Sequence, residues 1–350
     1  MSITLHDLAN DPALFLFELD RDAAVFQTMT PEAFRQSIFL DGRIRHGGRP
    51  NFRAPLDALL AGVRPGPQTD RRIGWIFHVA QCGSTLLARA LDHVGRSHVL
   101  REPAALRRLG VMTGGDARSA SVIADGRFED MLRMTLWLLG KRWGARTPVI
   151  AKANVPVNFI ASEIMALDPG APAILLHFPL ESYLAAILRT EGHVRWTEGV
   201  FDELRMAGSP FAVGMTVNSA ATKAALLWFA QMKAYERIVA DFPAARSLDA
   251  GTFFAEPATT VAAAADLFGV ALRPGEATEI AGGELFQSYS KNPALDYDTE
   301  VREARETEAK RRLSGEIAEA VEWAQRAKER HGLPEALRNA LVGEPTPLLP

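Results

Sequence analysis

An apolar run that breaks at a cluster of small polar residues and resumes as a helix leaves a chain few ways to fold. This chain carries one at Ile73–Pro103, IGWIFHVAQCGSTLLARALDHVGRSHVLREP. Trp75–Ala80 reads as a strand, Gln81, Cys82, Gly83 and Ser84 as a tight turn, residues 84–93 as a helix, and Ser97–Arg101 as a second strand that delivers an acid, Glu102. The first N–H groups of such a helix have no intrahelical partner and converge at the positive end of its dipole. That arrangement suits a phosphate or a sulfate.

From Arg72 onward short apolar runs alternate with amphipathic segments, the pattern of a parallel sheet with crossover helices. Further strands are expected at Pro148–Lys152, Ala173–Phe178 and Arg246–Ala250, with helices near 126–142, 157–167, 180–190, 219–240 and 258–268. Ligands of such sheets bind at the carboxyl ends of the strands, where the turn, Glu102, Lys152 and His177 converge. Residues 1–70 read as an appendage packed on a 71–299 domain, with an apolar stretch at Ala13–Phe17 and a helix opened by Pro31 after Thr30. Gly192–Val217 reads as a mobile lid or as a surface excursion. Residues 300–342 form a charge-rich helical segment whose solvated face leaves Ile317, Val321 and Trp323 to dock, and the Pro-rich tail 343–350 is expected to be disordered.

With 47% hydrophobic and 23% charged residues the chain has ordinary globular composition, and a net charge of -3 argues against a general nucleic-acid or membrane-surface binder. A single cysteine, Cys82, excludes an intrachain disulfide and a multi-cysteine metal site and fits a reducing compartment. The first twenty residues carry acids on both sides of a short apolar run. They read as neither a signal peptide nor a membrane span, so a cytoplasmic location is expected.

The turn narrows the chemistry. Nucleotide-triphosphate enzymes of this layout need G-x-x-x-x-G-K-[ST], where the lysine reaches the β- and γ-phosphates and the hydroxyl holds magnesium. Here the turn has no lysine, and no strand ends in an aspartate placed for magnesium, which disfavours a kinase or NTPase. A lysine does stand at the end of the apolar strand TPVIAK: Lys152, costly at a sheet rim unless it meets an anion. His78 and His177 also sit near strand ends, where a lone histidine is more often a satisfied rim residue than a catalyst.

The order of these motifs resembles the P-loop sulfotransferases, whose first strand leads into a [KR]-[ST]-G-[ST]-T turn. Gln81, Cys82, Gly83, Ser84 and Thr85 stand at the matching positions. LDHVGR and VLREP resemble the family's acid-delivering segment, and VIAKANVPVNFIASEIMALDPGAPAILLHFPLESYLAAIL its lysine-bearing strand through its 3'-phosphate strand. LWFAQMKAYERIVADFPAARSLDAGTFFAEPATTVAAAADLFGV is similar to its late helix, strand, acidic-Pro turn and helix; together the likeness spans roughly residues 73–271.

The resemblance implies a three-layer α/β P-loop-type fold, with a central parallel sheet of about five strands in order 2-3-1-4-5 and helices on both faces. It implies transfer of a sulfuryl group from 3'-phosphoadenosine 5'-phosphosulfate to a hydroxyl or amine of a small-molecule or carbohydrate acceptor, with no metal. Under it the amides of Gly83, Ser84, Thr85 and Leu86 and the hydroxyls of Ser84 and Thr85 hold the 5'-phosphosulfate, Glu102 is the general base, and Lys152 contacts the ligand. The chain departs from the pattern at three positions. The usual basic first turn residue is Gln81, and the strand-end arginine and the serine eight residues later, both on the 3'-phosphate, are His177 and Ala185. Ser182, Arg189 and Lys291 are the candidate substitutes. The alternative that these departures leave open is a catalytically degenerate relative serving as a nucleotide- or anion-binding or protein-interaction module.

Overall fold

The computed structural model describes residues 3–44, 52–115, 123, 125–289, 292–296 and 299–350. Strands β1 (Leu14–Leu19), β2 (Ala23–Thr28) and β3 (Phe52–Pro55) form a small antiparallel sheet in that order. The helix expected after Thr30 runs Pro31–Gln36, with the Thr30 hydroxyl accepting from the Ala33 N–H at 3.2 Å and Pro31 in the first turn, where its missing N–H costs nothing.

The main sheet is built from β4 (Ile73–His78), β5 (His98–Arg101), β6 (Val149–Lys152), β7 (Ala173–His177) and β8 (Ala245–Asp249). β4 to β7 are buried at every residue, as expected where helices cover both faces of a parallel sheet and the strands become continuous apolar runs. All pairings are parallel and the spatial order is β5-β6-β4-β7-β8, which is 2-3-1-4-5 counted along the chain. Among the crossover helices, Ala220–Asp241 is buried around most of its circumference, is opened by a Ser219–Thr222 capping box, and ties to the sheet through Trp228 Nε1, which donates to the Phe178 carbonyl at 2.9 Å.

Both open edges of this sheet are covered. At the β5 edge, the Leu40 N–H donates to the Arg101 carbonyl and the Ala104 N–H to the Leu40 carbonyl. The Arg101 side chain, 2% exposed, binds Asp92 at 2.7 Å and the carbonyls of Phe34, Arg35 and Ser37, so a buried cation has its hydrogen bonds met from the N-terminal segment. At the β8 edge the C-terminal chain pairs with Ser247, whose N–H donates to Asn339 and whose carbonyl accepts from Leu341. Covered edges remove templates for unwanted strand pairing.

Three expectations change in detail. The 192–217 segment forms a helix, Glu191–Glu203, capped by Thr190, followed by 3-10 turns at Met206–Gly208 and Pro210–Ala212. The charge-rich region is two helices, Thr299–Arg312 and Ser314–His331; Ile317 and Trp323 are buried as anticipated, with Val321 packed beside them. The tail expected to be disordered is instead docked. Leu348 and Leu349 are buried, the Leu348 carbonyl accepts from the Leu180 N–H, and the Leu348 N–H donates to Glu335, because two adjacent leucines outweigh the local proline content. Among the described residues, no helix is long and apolar enough to cross a membrane.

Docking of the tail predicts that Leu348→Ala lowers unfolding stability by about 2–4 kcal/mol, the usual cost of a large-to-small change at a fully buried leucine. Urea unfolding checks it: a midpoint equal to that of the unaltered chain would contradict the docked tail.

Candidate functional site

The turn after β4 is shaped by its backbone. Gln81 and Gly83 both lie in the left-handed region, at φ +64° and +83°, and Gly83 is the cap residue of the helix Ser84–Ala90. A side chain at Gly83 would meet the Phe254 ring at 2.6 Å and Phe253 at 3.2 Å, so glycine is required by φ and by space. The Ser84 and Thr85 side chains are buried, and the Thr85 hydroxyl has no hydrogen-bond partner among the described residues although it lines the cavity above. Cys82 is fully buried with its thiol turned down to the Val79 carbonyl at 2.9 Å, so its side chain belongs to the core and not to the cavity.

Beside the turn, sheet register sets the next groups. Arg101 of β5 pairs with Lys152 of β6, and the Glu102 N–H donates to the Lys152 carbonyl at 2.7 Å. Glu102 then adopts φ +56°, unusual for a residue with a side chain. Its Oε1 accepts from the Lys152 ammonium, which is 1% exposed. Of the four non-glycine residues with positive φ among those described, Gln81 and Glu102 both line this cavity, and backbone strain of about 1–3 kcal/mol per residue concentrates at functional positions. His78 donates Nδ1–H to the Val79 carbonyl at 2.8 Å and holds Nε2 3.9 Å from the same Glu102 oxygen, beyond hydrogen-bond reach but inside the same polar cluster.

These groups open into one cavity of about 540 Å³, within the range of small-molecule sites. The turn residues Gln81, Gly83, Ser84, Thr85 and Leu86, together with Glu102 and Lys152, line it, as do Ser182, Ala185 and Arg189 of the helix after β7 and the residues that follow it. Among the described residues, five cations (Arg43, Lys152, Arg189, Arg302 and Arg305) face it against two carboxylates, Glu102 and Glu306, so the cavity is cationic in a chain whose net charge is negative.

His177 is not brought to the cavity. It is 3% exposed, turns Nδ1 to the Leu175 carbonyl at 3.3 Å, and is pushed below the ordinary histidine range by burial, against the opposing pull of Asp249. A neutral imidazole facing the core cannot supply the charge of a phosphate-binding arginine. Ser182 reaches the cavity wall, but its hydroxyl donates to Glu306 at 2.8 Å and accepts from Lys310 at 3.1 Å. Lys291 lies outside the described residues.

Several lining residues carry no signal that a strand-and-turn pattern would expose. Phe39 and Arg43 arrive from the N-terminal segment; the Arg43 guanidinium stands 3.9 Å from the Phe39 ring centre and the Lys152 ammonium 5.5 Å from it. His193 and Trp196 come from the helix Glu191–Glu203, and Phe254 and Phe286 form an aromatic wall with Phe178. Arg302, Arg305 and Glu306 come from the helix Thr299–Arg312. Their i, i+3, i+4 spacing, which places three charges on one helix face, was the available signal.

No family model matches the chain, and no curated protein sequence matches it. Two solved structures are similar to it at 13% identity. One is a sulfotransferase from Alicyclobacillus acidocaldarius, with a TM-score of 0.37, 75% of this chain and 95% of that chain covered. The other is the sulfotransferase domain from the Curacin biosynthetic pathway, with a TM-score of 0.40 and coverage of 75% and 98%.

The turn geometry predicts that Gly83→Ala destabilises the fold by about 1–2 kcal/mol from the left-handed backbone alone, with the Phe254 clash in addition. Inorganic phosphate is expected to raise the melting temperature of the unaltered chain, and Gly83→Ala to abolish that rise. Thermal unfolding with and without phosphate reads both effects, and a phosphate response retained by the variant would dissociate the turn from anion binding.

Proposed function

We propose that the cavity binds 3'-phosphoadenosine 5'-phosphosulfate and passes its sulfuryl group to a hydroxyl or amine of a small-molecule or carbohydrate acceptor. The observation that carries this reading is the meeting, in one cationic cavity, of the lysine-free Gly83–Thr85 turn with the Lys152–Glu102 pair. A triphosphate site would need a lysine within the turn itself, whereas the lysine here comes from the neighbouring strand end together with an acid.

In this proposal the turn amides and the Ser84 and Thr85 hydroxyls hold the 5'-phosphosulfate. The acceptor oxygen or nitrogen forms a bond to sulfur as the bond between sulfur and the bridging oxygen breaks, and the electron pair leaves with the phosphate. Charge grows on that phosphate, and donors fixed beforehand at the helix start stabilise it without reorganising. Lys152 lines the same cavity as the turn from the end of β6, so it takes over the role that a basic first turn residue would have, Gln81 contributing a dipole only. The acceptor proton passes to Glu102, whose carboxylate Lys152 and the left-handed backbone hold at the cavity wall. When the donor's anion draws the ammonium toward itself, Glu102 is released to face the acceptor. His78, aligned by its bond to Val79, borders the same oxygen.

Calorimetric titration with adenosine 3',5'-bisphosphate, with no divalent metal present, should give micromolar binding, and Lys152→Ala should weaken it about tenfold or more, the usual loss of a charge-assisted contact. Glu102→Gln should bind the nucleotide normally yet transfer sulfuryl groups about 10²–10⁴-fold more slowly to any hydroxyl acceptor the unaltered chain uses. An unaltered chain that ignores the bisphosphate at high micromolar concentration overturns the donor assignment.

A further inference from the structure

We propose that His78 takes up, at Nε2, the acceptor proton that Glu102 removes, and so returns the Lys152–Glu102 pair to its resting state. This rests on the reading of the cavity as a sulfuryl-transfer site with Glu102 as its base.

His78 is the last residue of β4, lines the cavity and is 5% exposed. The Val79 carbonyl accepts from its Nδ1 at 2.8 Å and from the Cys82 thiol at 2.9 Å. A carbonyl has no proton to give, so Nδ1 carries the hydrogen and the neutral ring keeps its lone pair on Nε2. That nitrogen lies 3.9 Å from Glu102 Oε1, the same oxygen that accepts from the Lys152 ammonium. The backbone of His78 is pinned: its carbonyl accepts from Asn158 Nδ2 at 3.0 Å, and Asn158 donates to Gln231 at 2.7 Å. Closing about 1 Å makes a hydrogen bond between the two side chains, a distance that rotation of the glutamate carboxyl covers.

Turnover requires a place for that proton. While Glu102 holds it, the Lys152 ammonium lacks its counter-charge, a costly state for a cation that is 1% exposed. Transfer breaks the bond from Glu102 Oε1 to hydrogen and forms one from His78 Nε2, leaving a carboxylate and an imidazolium, so atoms and charge balance with no further reactant. An ordinary imidazole binds a proton about a hundredfold more tightly than an ordinary glutamate carboxylate. The restored carboxylate then stands between two cations. Among the described residues, the charged or titratable groups around His78 are Glu102 after β5, Lys152 of β6 and Cys82 of the turn, with Arg43 of the N-terminal segment near enough to feel the charge of Glu102. Tyr235, next to Asn158, and His177 of β7, turned to Leu175, are both buried and neutral. Other proton acceptors in the cavity are already committed, Glu306 to Ser182 and Lys310, and His193 through Nδ1 to the Ala186 carbonyl.

Two measurements on the full chain test the assignment. The first is a carbon-13 NMR titration of the imidazoles, with the His78 resonance identified by its loss in His78→Gln. His78 should titrate between about pH 5 and 9, and Glu102→Gln should lower its proton affinity about tenfold, because a neutral amide replaces the carboxylate beside the imidazolium. The second is the turnover rate with 3'-phosphoadenosine 5'-phosphosulfate as donor and phenol, glucosamine or water as probe acceptor. The unaltered chain should lose rate on the acid side in the imidazole range, about pH 6–7, as His78 fills with a proton beforehand. His78→Gln should bind adenosine 3',5'-bisphosphate within about threefold of the unaltered chain, turn over about 10–10²-fold more slowly, and lose rate only lower, in the carboxylate range. A His78 midpoint that ignores Glu102→Gln overturns the assignment, as does a His78→Gln chain that turns over normally. A slow His78→Gln chain whose acid limb stays in place also overturns it, since a merely structural role gives that result. All three leave the donor reading standing. A chain that binds the bisphosphate yet consumes the donor with none of the probes has no turnover for His78 to serve, which overturns this assignment alone; an unaltered chain that ignores the bisphosphate overturns the proposed function and this assignment together.

Discussion

A lysine ammonium with 1% of its side chain exposed is the constraint around which this site is arranged. Removing an ammonium from water is expensive unless a counter-charge with good geometry is waiting, and here the counter-charge is Glu102, one residue past the neighbouring strand. Parallel register places Arg101 opposite Lys152, so the acid that follows Arg101 has to swing back to meet the ammonium. The left-handed backbone of Glu102 and the bond from its N–H to the Lys152 carbonyl accomplish that swing. The pair is thus a consequence of strand order and register, and its cost appears as strain in backbone conformation.

The elements outside the five-strand sheet do two things at once. The N-terminal segment supplies the carbonyls that satisfy Arg101, fixing the strand that ends in Glu102, and the same segment then sends Phe39 and Arg43 to the cavity. The C-terminal chain covers the β8 edge through Ser247, and the helix Thr299–Arg312 closes the cavity from the far side. Covering an edge and walling a site are therefore coupled. A change that loosens either terminus alters the cavity as well as the stability of the sheet.

This coupling explains what was legible in the sequence. β4, its turn, β6 and the helix Ala220–Asp241 could be read because apolar periodicity and a small-residue break are local signals. Lys152 and Glu102 could be singled out because each stands where an apolar strand ends. The direction of the His177 side chain could not, since it depends on which face of the pleat the neighbouring helices bury. Phe39 and Arg302 are brought in by contacts between segments far apart in the chain, and the solvated look of the 300–312 charges concealed a face turned inward. Leu348 and Leu349 were masked by the prolines around them, whose effect on local chain conformation says nothing about two side chains that find a hydrophobic slot.

Net charge is likewise a poor guide to what a cavity attracts. With a Debye length of about 8 Å at physiological ionic strength, a ligand inside the cavity responds to the groups lining it far more than to the acids distributed over the outer surface. Among the described residues, five cations drawn from the N-terminal segment, β6, the bend that follows the helix after β7 and the C-terminal helix converge on one volume, and the low dielectric of its aromatic wall strengthens their field there. A chain at -3 overall can in this way still present a positively charged cavity. In the proposed reading the selectivity then comes from geometry, since the turn offers one anionic group the start of a helix whose first N–H groups have no intrahelical partner.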